Sequence, residues 1–302
     1  MFKSKNGMSR ALVRRETTAG YLFLLPSLFF FVTFVLYPMF LCIYTSFFDS
    51  NMGKNAVDVF VGLGNYKELF RDKLFLGALK NTVVIVVVAV PTVCAFSLWV
   101  ATAIYDMKPA LTSAFRCIFY LPVVTGSVAV TVVWKWMYNS RYGVFNYLFK
   151  SLGIIDQNIN WLGDARFALW CIILILFTTS VGQPIVLYVS ALGNVDHSLV
   201  EAAQVDGANR RQVFWKIKWA QIMPTTLYIL IITTINSFQC FALIQLLTSG
   251  GPTHSTDTIM YYIYYTAFKL YRYGYGNAMG VVLMIIIAVL SAVQFKLGQQ
   301  SD

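Results

Sequence analysis

Six long apolar stretches constrain the fold of this chain more than any other feature of the sequence. Each is a continuous apolar run, and each is long enough to cross a hydrocarbon core of about 30 Å, which takes about 20 residues of helix. Runs of this kind predict membrane-spanning helices, because barrel strands would alternate between apolar and polar residues. The predicted spans are residues 21–48, 82–104, 117–137, 167–192, 224–247 and 278–295.

Composition and charge place the chain in a lipid bilayer and exclude a nucleic-acid partner. Of the 302 residues, 58% are hydrophobic and 12% are charged, which is far outside the range of a soluble globular domain. The net charge of +10 does not form one basic surface, because most basic residues are spread over the loops. The others precede the first span and predict a cytoplasmic N-terminus; they are Lys3, Lys5, Arg10, Arg14 and Arg15.

A polar and basic island at residues 201–224 interrupts the apolar second half of the chain. Ser198 and Glu201 have the spacing of a capping box, which predicts a short helix over residues 199–205. Gly207 ends this helix, because glycine readily adopts the left-handed backbone that closes a helix.

A second short helix is predicted to begin at Asn209, because Asn209 and Gln212 repeat the capping spacing. Residues at three- and four-residue steps predict one shared face, made of Val213, Phe214, Ile217 and Gln221. The charge of this helix comes from Arg210, Arg211, Lys216 and Lys218. The island therefore predicts two helices and a turn on the loop between spans four and five.

The island also carries a resemblance to a known family. Its Glu-Ala-Ala and Asp-Gly-Ala segments, followed by Phe214 and Ile217, resemble the EAA motif of permease subunits of binding-protein-dependent ATP-binding cassette importers. The resemblance implies an all-α integral membrane protein with six transmembrane helices in the type I importer permease arrangement. It also implies that the helix pair docks in a cleft of an ATPase subunit. The residues that match the coupling motif are Glu201, Ala202, Ala203, Asp206, Gly207, Ala208, Phe214 and Ile217.

The sequence departs from the family pattern directly after Ile217. The family usually reads Ile-x-Leu-Pro, whereas Lys218, Trp219 and Ala220 follow here. Without the proline, the second helix is expected to run further toward Pro224.

Other connecting segments are similar to those of sugar permeases and imply a carbohydrate substrate, in particular an oligosaccharide. These segments are residues 61–70, 142–161 and 248–252. The first predicts an interfacial helix with Tyr66 and Phe70 toward lipid. Residues 105–116 are expected to connect spans two and three. Most of the seven tyrosines of residues 261–275 are expected to form an aromatic belt, and one or two of them are available to stack on a sugar.

Spans four and five each carry a polar patch that allows two interpretations. Ser and Thr side chains favour contacts between helices, whereas Asn236 and Gln239 favour a transport pathway, because mid-membrane amides need a partner or water. The patches contain Thr178, Thr179, Ser180, Gly182, Gln183, Thr233, Thr234, Asn236, Ser237, Gln239 and Gln245. Comparison with maltose-type permeases places Thr178, Gly182, Thr233, Ser237 and Cys240 near sugar-contacting positions. The predicted pathway residues are therefore Thr178, Gly182, Gln183, Thr233, Asn236, Ser237, Gln239 and Cys240.

The motifs of catalysis and metal binding are not found in the sequence. There is no GxxxxGK[ST] phosphate loop, so ATP and magnesium are expected in partner ATPase subunits and no cofactor in this chain. His197 and His254 are expected to lie alone in loops, without catalytic or zinc-site companions. The cysteines show no CxxC spacing and predict neither a disulfide framework nor a metal site; they are Cys42, Cys94, Cys117, Cys171 and Cys240.

The resemblance completes the predicted organisation. Residues 1–19 form a cytoplasmic tail, residues 20–296 the permease domain with a coupling loop at 196–224, and residues 297–302 a C-terminal tail. The chain is expected in the cytoplasmic membrane, with both termini in the cytoplasm. The implied partners are a second permease subunit, two ATPase subunits and an extracytoplasmic solute-binding protein.

An ion-coupled secondary transporter or a channel-like protein is the alternative hypothesis, and a membrane enzyme has almost no support. Proton- and sodium-coupled carriers usually place a carboxylate within a span, and the six predicted spans contain no Asp or Glu.

Overall fold

The computed structural model describes residues 10–50 and 58–299 of the chain, which are almost entirely helical. The α-helices are α1 (Arg10–Phe31), α2 (Tyr37–Thr45), α3 (Gly64–Leu69), α4 (Lys73–Tyr105), α5 (Pro109–Val124), α6 (Ser127–Met137), α7 (Val144–Ser151), α8 (Ala168–Ser180), α9 (Gly182–Gly193), α10 (His197–Val205), α11 (Arg210–Val213), α12 (Trp219–Phe238), α13 (Ala242–Leu247), α14 (Ile259–Tyr264) and α15 (Tyr273–Gln299). Short π-helical segments lie at Val32–Leu36, Phe214–Lys218 and Tyr265–Lys269. Strands β1 (Phe48–Asp49) and β2 (Val59–Phe60) pair antiparallel.

Five of the six predicted spans are single helical segments that are long and apolar enough to cross a membrane. They are Thr17–Thr45, Lys73–Tyr105, Ala168–Gly193, Arg210–Leu247 and Tyr273–Gly298. The prediction of an all-α membrane protein is therefore confirmed. The second span begins earlier than predicted, because the Asp72 carboxylate accepts a hydrogen bond from the Leu74 N–H at 2.8 Å and caps the helix there.

The third predicted span is bent instead of continuous. Helices α5 and α6 meet at an angle of 96°. Thr125 adopts an extended backbone and Gly126 is the N-cap of α6, so the helical hydrogen-bond ladder stops between them. The connection predicted at residues 105–116 is also wrong, because Pro109 starts α5 in the first helical turn, where its missing N–H costs nothing.

The core lies between α4, α9 and α12, which pack against one another. Tyr188 of α9 and Ile222 and Ile229 of α12 are almost completely buried there, against Val93 of α4. By contrast, apolar side chains within Thr17–Thr45 are largely exposed, as expected where lipid replaces protein as the apolar surrounding. We call the end of the bundle that bears residues 196–224 the proximal end, and the opposite end the distal end.

The distal end is held by polar contacts between segments far apart in sequence. The hydroxyls of Tyr262 and Tyr275 each donate to the Asp72 carboxylate at 2.8 Å. Burial acts to raise the pKa of Asp72, but these hydrogen bonds and those from backbone N–H groups hold the pKa below its usual value. Arg272 adds a two-pronged ion pair with Glu68 at 2.8 Å.

Two of the seven distal tyrosines do not belong to an aromatic belt, and the expectation that Tyr66 faces lipid is wrong. Tyr262 and Tyr275 are buried contacts of Asp72, not members of an exposed belt, because the carboxylate needs donors when it is partly buried. Tyr66 does not face lipid either; its hydroxyl lies 2.6 Å from the Ser46 hydroxyl. Phe70 is exposed, as predicted.

Gly182 marks a close approach between α9 and α5. A Cβ atom at this position would lie 2.3 Å from the carbonyl oxygen of Phe119, which cannot be relieved by moving a flexible side chain. Gly193, at the other end of α9, leaves 3.8 Å between such a Cβ and the nearest atom, in Tyr105.

This difference predicts opposite outcomes for two matched substitutions. Gly182→Ala forces α9 away from α5 and is expected to destabilise the protein by about 1–3 kcal/mol. Gly193→Ala finds ordinary contact distance and is expected to leave stability unchanged. Thermal unfolding of both purified variants in detergent measures the difference, and equal melting temperatures would contradict the predicted close packing.

Candidate coupling site and polar cleft

The polar island folds into the two predicted helices, α10 and α11, but the start of α10 differs. The N-cap is Asp196, not Ser198, and the Asp196 carboxylate accepts from the Ser198 N–H at 2.9 Å and from the Ser198 hydroxyl at 2.7 Å. These hydrogen bonds lower the pKa of Asp196. The predicted capping box at Ser198 and Glu201 is thus wrong, because a better cap stands two residues earlier.

The turn between α10 and α11 forms as predicted. Gly207 has a φ of +82°, in the left-handed region, and the Ala208 N–H donates to the Ala203 carbonyl at 2.9 Å. At the start of α11, the Gln212 N–H donates to the Asn209 side chain at 2.9 Å, and the Asn209 N–H donates to the Gln212 side chain at 2.8 Å. This reciprocal capping box fixes the angle between the two helices.

Half of the matched coupling residues lie on a surface that the rest of the described chain does not cover, whereas Ala208 and Phe214 line a cavity between the loop and the bundle. Glu201, Ala202, Asp206 and Gly207 are exposed. Half-buried positions are taken by Ala203, Ala208, Phe214 and Ile217. The role of these residues stays a prediction, but the surface is free for a partner.

One residue of this surface escaped the sequence analysis. Val205 ends α10 with 87% of its side chain exposed, although it is apolar and its neighbours are polar. An isolated exposed valine is common in proteins. Its place beside the Gly207 turn adds an apolar contact to the candidate docking surface, and the helical repeat from Ala202 would have identified it.

A polar cleft of about 160 Å³ lies between α9, α12 and the end of α5. It brings together Gln183, Thr233 and Asn236 of the predicted pathway residues, and Thr179 and Ser180 from the same polar patch also line it. Tyr228 was not predicted; it is half exposed at this cleft and supplies an aromatic ring.

The other predicted pathway residues lie outside this cleft. The Thr178 hydroxyl donates to its own helix at the Ile175 carbonyl, and Gly182 packs against Phe119. Ser237 is 2% exposed and Cys240 is also buried, whereas Gln239 is exposed at the end of α12. Their predicted role in a pathway is neither supported nor excluded by these positions.

At least one threonine of the patches joins two helices. The Gln294 amide of α15 donates to the Thr234 hydroxyl of α12 at 2.9 Å, and Thr234 is almost fully buried. This contact matches the interpretation of Ser and Thr side chains as links between helices.

The sequence predicted that both histidines lie alone in loops, and the structure differs for each of them. His197 is the first residue of α10. The Nδ1 atom of His254 lies 2.6 Å from the buried Asp257 carboxylate, whose pKa burial raises. Within residues 10–50 and 58–299, no cluster of three or more metal-ligating side chains occurs, and the five cysteines are free.

Comparison with known proteins agrees with this geometry. The family described as "Binding-protein-dependent transport system inner membrane component" matches residues 59–299. The probable ABC transporter permease protein YesP of Bacillus subtilis (strain 168) is 33% identical over 288 residues, covering 94% of this chain and 91% of that protein. The lactose transport system permease protein LacF of Rhizobium radiobacter is 32% identical over 288 residues, covering 94% of this chain and 95% of that protein.

A solved structure supports the same fold. One chain in the crystal structure of a bacterial alginate ABC transporter, in complex with an alginate pentasaccharide-bound periplasmic protein, superposes with a TM-score of 0.80. It is 24% identical, and the match covers 93% of each chain. The predicted permease fold is confirmed, and the chain belongs to the family of inner membrane components of binding-protein-dependent transport systems.

Proposed function

We propose that this permease chain carries a carbohydrate, in particular an oligosaccharide, across the cytoplasmic membrane in an ATP-driven importer. An extracytoplasmic binding protein delivers the sugar, a second permease completes the pathway, and two ATPase subunits bind ATP and magnesium. The observation that carries this proposal is the uncovered helix pair at residues 196–213, which bears the coupling motif. The similarity to a lactose permease supports the substrate class.

In this mechanism, energy enters through α10 and α11. ATP binding closes the ATPase pair, and the two loop helices follow as one body because the Gly207 turn and the Asn209–Gln212 capping box fix their angle. Glu201 forms an ion pair with a basic residue of the ATPase, and Val205 and Ala202 fill its cleft. The loop and both termini then lie in the cytoplasm.

The polar cleft supplies part of the sugar site. The amides of Gln183 and Asn236 each offer two donors and an acceptor, which suits the hydroxyl groups of a sugar. The Tyr228 ring offers an apolar face beside them. A cleft of about 160 Å³ holds only a small part of an oligosaccharide, so the second permease supplies the remaining contacts.

The alternative, an ion-coupled transporter, has no supporting observation. The described spans contain no Asp or Glu that could bind a coupling ion, since Asp72 and Asp106 lie just beyond the two ends of α4.

The loop is tested by Gly207→Leu, with Gly207→Asn as its control. Leucine in the left-handed region costs about 1–2 kcal/mol and changes the angle between α10 and α11, whereas asparagine tolerates this backbone. We expect Gly207→Leu and Glu201→Lys to insert normally into membranes and to reduce ATP-dependent uptake at least about tenfold, because an uptake cycle needs the docked loop.

Uptake into proteoliposomes that contain the whole importer measures this effect. Gly207→Asn is expected to keep most of the uptake. Wild-type rates in Gly207→Leu, or uptake that continues without any ATPase subunit, would refute the proposed coupling.

The sugar site is tested by Asn236→Ala beside Gln239→Ala. Asn236 lines the cleft and Gln239 does not. Loss of one hydrogen bond to the sugar is expected to raise the KM for uptake about 3- to 10-fold in Asn236→Ala, with a smaller effect in Gln239→Ala. A lower yield of assembled complex with an unchanged KM would instead assign Asn236 to helix packing.

A further inference from the structure

The second loop helix does not end before span five. From Arg210, the backbone passes through α11, the π-helical segment Phe214–Lys218 and α12 without a break. The Trp219 N–H donates to the Phe214 carbonyl, five residues earlier, so the ladder continues across this segment. Pro224 lies inside α12 and does not terminate it. The departure from the Leu-Pro pattern therefore produces one continuous helix from the loop into the membrane.

A cavity separates much of the loop from the bundle. It has a volume of about 850 Å³ and is lined by residues of α10 and α11 on one side and by Thr102, Tyr105 and Asp106 on the other. Beside the cavity, Val195 belongs to the buried core cluster and Val200 packs against it, and these contacts help to hold the helix pair in position.

Two polar contacts bridge this region. The Lys218 ammonium lies 5.4 Å from the centre of the Tyr105 ring, at the last residue of α4. The Gln221 side chain accepts a hydrogen bond from the Asp196 N–H, at the start of α10, at 3.0 Å. Between these two positions, Trp219 packs against the core cluster around Tyr188.

The Tyr105 ring is the interaction partner of the Lys218 ammonium. The ion pairs of the described residues do not include Lys218. An ammonium group over an aromatic face gains electrostatic attraction, and the gain increases where water is partly excluded. Lys218 is half-buried, whereas Lys216, in the same π-helical segment, is exposed.

We propose that Lys218, Tyr105 and Gln221 are positioning residues that join the coupling loop to spans two and five as one rigid lever. Gln221 ties the start of α10 to the helix that continues into span five. Lys218 ties the same helix to the end of span two. A displacement of α10 by a partner subunit then moves both spans together. This inference rests on the proposed function, because it assigns the route by which the loop transmits motion.

The test compares sugar taken up per ATP hydrolysed in proteoliposomes that contain the whole importer and its binding protein. Lys218→Met is expected to lower this ratio about 2- to 5-fold, the range expected for loss of one cation–π contact, while ATP hydrolysis continues. Lys218→Arg restores the ratio, because a guanidinium also binds an aromatic face. The matched control Lys216→Met leaves the ratio unchanged.

A double-mutant cycle identifies the partner of Lys218. Tyr105→Leu is expected to lower the ratio as Lys218→Met does, and the double variant is expected to lower it no further. Additive effects would show that the two side chains do not act together. A wild-type ratio in Lys218→Met, or a parallel loss of uptake, hydrolysis and assembly, would overturn the inference. By contrast, if the wild-type importer showed no ATP-driven sugar uptake, the proposed function itself would be refuted.

A second measurement does not depend on transport. In the purified chain, Gln221→Leu removes the acceptor of the Asp196 N–H, and hydrogen exchange at that amide is expected to become about 3- to 10-fold faster. Gln204→Leu, at an exposed position of α10, serves as the control. Unchanged exchange at Asp196 in Gln221→Leu would overturn the part of the lever that depends on this hydrogen bond.

Discussion

The need to hydrogen-bond every backbone polar group inside a hydrocarbon core governs this structure. It requires continuous helices through the membrane, and five spans satisfy it as single helical segments. In the π-helical segment Phe214–Lys218, the ladder continues, because the Trp219 N–H donates to the Phe214 carbonyl. At the 96° bend between α5 and α6, the ladder is interrupted. The polar helix pair at residues 196–213 would be costly to bury in the hydrocarbon core, and it lies at one end of the bundle.

The two ends of the bundle differ in how they are held together. At the distal end, the hydroxyls of the buried Tyr262 and Tyr275 donate to the partly buried Asp72, and Glu68 pairs with Arg272. The starts of span two and span six are therefore connected directly. The proximal end has a cavity of about 850 Å³ beneath the loop helices. A distal end joined by polar contacts and a loop that stands beside a cavity suit a protein in which motion begins at the loop.

The features that the sequence predicted correctly depend on neighbouring residues. The positive φ at Gly207 and the reciprocal capping box of Asn209 and Gln212 involve residues within a few positions of each other. Both features can therefore be predicted from the local sequence. The predicted cap at Ser198 was wrong, because Asp196 can cap a helix as well as Ser198 and the backbone decides which of them does so.

Other features depend on residues distant in sequence and could not be predicted from local patterns. The tyrosines that bind Asp72 come from the other end of the chain, and the carbonyl that crowds Gly182 belongs to another helix. Of the predicted pathway residues, Gln183, Thr233 and Asn236 meet in one cleft. Tyr228 was missed because its place at this cleft depends on how distant helices pack.

The central claim is that the loop at residues 196–213 contacts the ATPase, and photo-crosslinking tests it most directly. A photoreactive amino acid replaces Val205, which is 87% exposed beside the Gly207 turn, or Tyr147, which is 77% exposed in α7 at the other end of the bundle. In the assembled importer, we expect position 205 to crosslink to the ATPase subunit and position 147 not to do so. Crosslinking to the ATPase from position 147, or none from position 205 in a complex that still hydrolyses ATP, would contradict the account.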